Sequence, residues 1–129
     1  MTTLFNRLQP KEKFRISVSD VAKFLQIPQQ LIVRIECWKY ILFVHRRDVG
    51  GQFISYRKLS QWLIATAHQI QKCSTLRQLL KILIEIREDS QKHEKQYSPQ
   101  HHLFLSQVWF QRWDTLLPQD RRQLNISNK

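Results

Sequence analysis

The chain has 129 residues, 42% of them hydrophobic, and 21 Lys and Arg against 10 Asp and Glu, for a formal net charge of +11. That size permits one modest core and the apolar share excludes wholesale disorder, while the charge favours a polyanion: nucleic acid first, an anionic membrane surface second. No apolar run has the length of a signal peptide or a membrane span, so the expected setting is the cytoplasm, at the nucleoid.

Residues 1–13, with Pro10 among basic and polar neighbours, read as an N-terminal arm or a short helix. Ser19 and Asp20 give an N-cap signal for a short helix carrying Val21, Ala22, Phe24 and Leu25. Ile27-Pro28 breaks it, because proline disfavours helical geometry in the residue before it, and Pro28 can open the next helix. The spacing predicts that second helix from about Gln29 to Trp38. With Ile32 and Ile35 turned inward, Gln30, Arg34 and Cys37 share another face, and Gln29 and Val33 lie beside it. Glutamine and arginine can each make paired hydrogen bonds to adenine and guanine in a major groove. The same pattern also describes an amphipathic helix with a solvated side.

Two short β-prone runs follow, Ile41–Val44 and Phe53–Tyr56. Between them lie Arg46, Arg47 and Gln52, together with Gly50 and Gly51, the only glycines of the chain. Gly-Gly suits a tight hairpin, so the expectation is a two-stranded wing with a basic tip. A third helix is expected from Tyr56 to about Lys72, with Trp62 in the core. Thr75 caps a fourth helix over Leu76–Arg87, residues 88–98 form a polar break, and Ser98-Pro99 opens a last helix that Pro118 ends.

The segment Ile16–Leu25, the turn and second helix Ile27–Arg34, and the ribbon ending Phe53–Leu63 resemble the DNA-binding module of the MerR and excisionase superfamily. The resemblance covers roughly 50 residues. It implies a winged helix-turn-helix over residues 14–72; with the last two helices read as a C-terminal helical hairpin over 73–129, the expected class is mainly α with a small two-stranded β wing. The resemblance also implies a dimer on a palindromic operator. Gln29, Gln30, Val33 and Arg34 would face the groove, Arg46, Arg47 and Gln52 would form the wing contacts, and Tyr56 and Arg57, with Lys58 beside them, would hold phosphates. The family's glycine after the second helix is replaced by Trp38-Lys39-Tyr40. No long coiled coil or cysteine cluster follows, which implies an effectorless member of the kind that accompanies mobile elements, including CRISPR-associated transposons.

Leu103, Phe104, Trp109, Phe110 and Trp113 crowd one short segment, which marks them for a dimer interface or for completing the monomer core. Enzyme signals are poor. There is no phosphate-binding glycine loop, GxSxG or HExxH. His93, His101 and His102 read as exposed side chains, and Glu85, Glu88 and Asp89 as a helix's polar end. Cys37 and Cys73 form no metal-binding pair, and no cofactor is expected. The expected function is a sequence-specific duplex-DNA regulator, a repressor that occludes a promoter. The alternatives are a protein-interaction adaptor and an excisionase-like architectural factor.

Overall fold

A computed structural model describes residues 2–10 and 14–127, the last eight of these by their backbone alone. It contains helices α1 (Thr3–Leu8), α2 (Val18–Leu25), α3 (Ser60–Gln71), α4 (Leu76–Lys92) and α5 (Pro99–Ser127) around an antiparallel sheet. The strands β1 (Ile32–Cys37), β2 (Leu42–Arg46) and β3 (Gly50–Ile54) lie in chain order. The mainly helical class with a small sheet is therefore as expected, but the sheet has three strands and not two.

The largest departure concerns residues 29–38. A single 3₁₀ turn, Gln29–Leu31, leads directly into β1, and the expected recognition helix does not form. Ile32, Val33 and Ile35 are β-branched and lose side-chain freedom in a helix, whereas a pleated strand accommodates them. The helix-like spacing of Ile32 and Ile35 has a different origin. The β1–β2 register shifts between Ile32 and Arg34, so Val33 is an extra, bulged residue. The bulge turns a period of two into a step of three, and both isoleucines reach the inner face.

The boundaries move elsewhere for identifiable reasons. α2 begins at Val18 because Ser17 closes a capping box: its hydroxyl accepts from the Asp20 N–H at 3.1 Å, and its own N–H donates to the Asp20 carboxylate at 2.8 Å. Tyr56–Lys58 form a separate 3₁₀ turn before α3. Thr75 caps α4 by accepting from the Gln78 N–H at 3.1 Å, and this helix runs five residues beyond Arg87 to Lys92. α5 continues past Pro118 to Ser127; proline there removes one backbone bond without ending the helix.

One core joins all of these elements. Leu4, Phe5 and Leu8 of α1 are buried with Val21, Leu42, Val44, Ile54, Trp62, Leu79, Ile82 and Trp109. Of the two expectations for residues 1–13, an arm or a short helix, the short helix forms at Thr3–Leu8 and enters the core, while residues 11–13 lie outside the described residues. Trp62 is fully buried, as expected, with its ring 5.6 Å from Phe5 and 6.1 Å from Phe14. Trp109 is buried within the monomer too, donating from its indole to the Leu79 carbonyl at 2.9 Å.

Candidate nucleic-acid interface

The sheet has two chemically distinct faces because side chains alternate along each strand. Leu42, Val44 and Ile54 point into the core, joined by Ile32 and, part-buried, Ile35 and Cys37. The register places Glu36, Phe43 and Phe53 in one row on the opposite face, and Arg34, His45 and Gly51 in the next. Trp38, just beyond β1, completes this face. Its ring stacks on Phe43 at 5.4 Å and 13°, and meets Phe53 edge-on at 5.4 Å. Phe43 and Phe53 are 5.5 Å apart. Trp38 is 43% and Phe53 54% exposed. Two rings, Trp38 and Phe53, are thus open to solvent on a small sheet, with half-buried Phe43 against both.

Charge lies beside the rings. Arg34 donates to His45 at 3.2 Å and pairs with Glu36 at 3.3 Å, both at the surface. Lys39 lies over the Tyr40 ring in the β1–β2 connection. At the far end of the sheet, the exposed Arg47 donates to the Gln30 carbonyl at 3.1 Å, which ties the β2–β3 turn to the 3₁₀ turn before β1. Gln29, Gln30, Val33, Arg34, Arg47 and Lys58 are therefore all accessible, but not as one helix face. Arg34 shares a row with His45, whereas Val33 is the bulged residue.

Other expected contacts serve the fold instead. Arg46 grips both Asp48 oxygens at 2.9 and 2.7 Å and donates to Gln52 at 3.0 Å, so Arg46 and Gln52 brace the wing turn. That turn is Arg47–Val49, one step earlier than the Gly-Gly pair, and Gly50 closes it at a φ of +81°. Tyr56 is buried, its hydroxyl donating to the Trp38 carbonyl, and burial pushes its phenol pKa well up.

Arg57 is only 6% exposed and forms a two-pronged bond with Asp89 at 2.7 Å on each side. Its guanidinium lies over the Phe5 and Trp62 rings at 4.9 and 5.2 Å. Neither Tyr56 nor Arg57 can reach a phosphate, because a buried side chain with all its partners satisfied has nothing to offer outside. Asp89 also accepts from Thr2 and Tyr97. Burial alone would raise its pKa, but Arg57, Thr2 and Tyr97 outweigh burial and hold it below the usual carboxylate value. Glu85, one helical turn earlier, pairs with Arg7 at 2.7 Å. These acids belong to the core and not to a polar helix end.

In the helical hairpin, Leu103 and Phe110 are each 60% exposed and Phe104 is open as well, while Trp113 is half-buried against Trp109 at 5.4 Å. Trp109 leaves the expected interface, since it completes the monomer core. Among the described residues no three His, Cys, Asp or Glu side chains converge as a metal site, and no helix is long and apolar enough to cross a membrane.

Trp38, Phe43, Phe53, Glu36 and His45 escaped sequence reasoning. The available signal was the alternation in Leu42-Phe43-Val44-His45, which sends the aromatic ring and the imidazole to the side opposite the aliphatic residues. No family model, characterised protein or solved structure matches this chain.

Proposed function

We propose that this protein binds nucleic acid through the outer face of its β-sheet. The observation that carries this reading is the cluster of exposed Trp38 and Phe53 with half-buried Phe43, and Arg34 and His45 in the next row of the same face, in a chain of net charge +11. Cations beside aromatic rings are the pairing that nucleic acids engage, phosphate with charge and base with ring. A regulatory role at DNA is compatible with this mode of binding.

The test is binding of labelled oligonucleotides, followed by fluorescence anisotropy over a salt series. Binding should weaken steeply with salt, because neutralised phosphates release counterions. The variant Arg34→Ala should bind more weakly and show a shallower salt slope. Absence of binding to any oligonucleotide at low salt refutes the reading.

A second reading, docking of another protein or of a second copy of this chain, is favoured by the exposed Leu80 and Ile84 of α4 and Leu103 and Phe110 of α5. Sedimentation equilibrium separates a dimer from a monomer. The two readings use different surfaces and are compatible.

A further inference from the structure

Resting on the nucleic-acid reading above, we infer that the Trp38–Phe43–Phe53 face takes unpaired bases, so that the preferred ligand is a single strand and not a duplex. The two forms of nucleic acid expose different surfaces. In a duplex the flat faces of the bases are covered by their neighbours, and only base edges and backbone reach the grooves. A single strand presents the faces, and an aromatic ring gains by stacking on them. A protein built for edges displays side chains that make paired hydrogen bonds. This face displays three mutually touching rings.

The neighbouring side chains fit the same ligand. Glu36 stands in the row of Phe43 and Phe53. Its carboxylate repels a phosphate but accepts from the amino groups of a base, so the base and not the backbone belongs over the rings. Arg34 and His45, one row on, suit the backbone. The Arg34–Glu36 pair at 3.3 Å is exposed, and such pairs are weak enough for a ligand to replace.

Gly51 adds an independent observation. Gly50 is the glycine with a left-handed φ, so turn geometry asks nothing special of Gly51. A Cβ at Gly51 would lie 2.9 Å from the Phe43 ring. The missing side chain therefore lets that ring lie against the strand, and it leaves the position beside His45 uncovered. A strand glycine in such a place permits close approach.

Three ligands of one sequence and about 12 nucleotides, within the range that small single-strand binders cover, decide the matter: a DNA strand, the matching RNA strand and the DNA duplex. The expected result is tighter binding of one or both strands than of the duplex, with Trp38 fluorescence quenched on binding and that quench absent in Trp38→Phe. Phe53→Ala should weaken strand binding by about fivefold to a hundredfold, with little change for the duplex, and Phe53→Tyr should restore it. Circular dichroism and thermal melting check that these surface variants fold. The DNA and RNA arms show which backbone is preferred. Equal affinity for strand and duplex, or strand binding indifferent to Phe53→Ala, overturns this inference while leaving nucleic-acid binding in place. Failure of all three ligands to bind removes the underlying reading as well, and points to a protein-facing surface.

Discussion

Arg34 and Arg57 are both arginines expected to touch DNA, and the fold treats them in opposite ways. Arg34 is at the surface, with a single long contact to Glu36 and a neighbouring imidazole. Arg57 is inside, with both prongs of its guanidinium on Asp89 and two aromatic rings against it. Both lie within the segment that carries the resemblance; what separates their environments is the acid that reaches Arg57 from far along the chain. The difference should be measurable. Removing one partner of a buried pair leaves an uncompensated charge, so Arg57→Ala or Asp89→Ala should lower unfolding stability by about 3–5 kcal/mol. Arg34→Ala should change it by about 1 kcal/mol or less. Urea denaturation of the variants makes the comparison, and similar losses for both would show that the Arg57–Asp89 pair does not hold the fold together.

Acid should sharpen the same contrast. Asp89 has a folded-state pKa below its ordinary value of 3.8. A carboxylate of that kind contributes stability that is fully present above its unfolded pKa and is lost as the pH falls through the folded one. The wild type should therefore lead Asp89→Asn by a constant margin near neutrality, and the margin should shrink as the pH drops below about 4. Thermal melting from pH 7 to pH 2 gives the two curves. Curves that stay parallel throughout would mean that another group governs acid unfolding.

Much of the helical frame is legible in the residues alone. The Ser17–Asp20 box lies close to the expected cap, Thr75 caps α4 as its side-chain chemistry suggests, and the spacing of Leu59, Trp62 and Leu63 places α3. Such signals are local, and each is decided within one or two turns of chain. The misread elements depend on distant partners. Ile32–Cys37 becomes a strand because β2 is there to pair with it, and its bulge at Val33 imitates a helical period. The burial of Tyr56 and Arg57 depends on Trp38 and Asp89, 18 and 32 positions away. Likewise, the aromatic face exists only once Trp38, Phe43 and Phe53 are brought together by two antiparallel pairings. Basic residues near a hairpin suggested nucleic acid at the level of composition, but which of them face outward is a tertiary property.

Arg46 falls between the two extremes and offers the finest test. Its guanidinium holds Asp48 and Gln52 across the β2–β3 turn, yet the side chain keeps 15% of its surface. The carboxylate of Asp48, bonded by Arg46, is held below its ordinary pKa. An arginine already neutralised by an adjacent acid adds little to the attraction of a phosphate, whereas Arg47 reaches outward while giving one N–H to the Gln30 carbonyl. Arg46→Ala should therefore lower stability slightly by loosening the turn, and should weaken oligonucleotide binding less than Arg47→Ala does. Equilibrium unfolding and anisotropy on the same two variants read both quantities. A larger binding loss at Arg46 than at Arg47 would mean that the Asp48 bond opens when ligand arrives, making the turn a participant in binding and not only a brace.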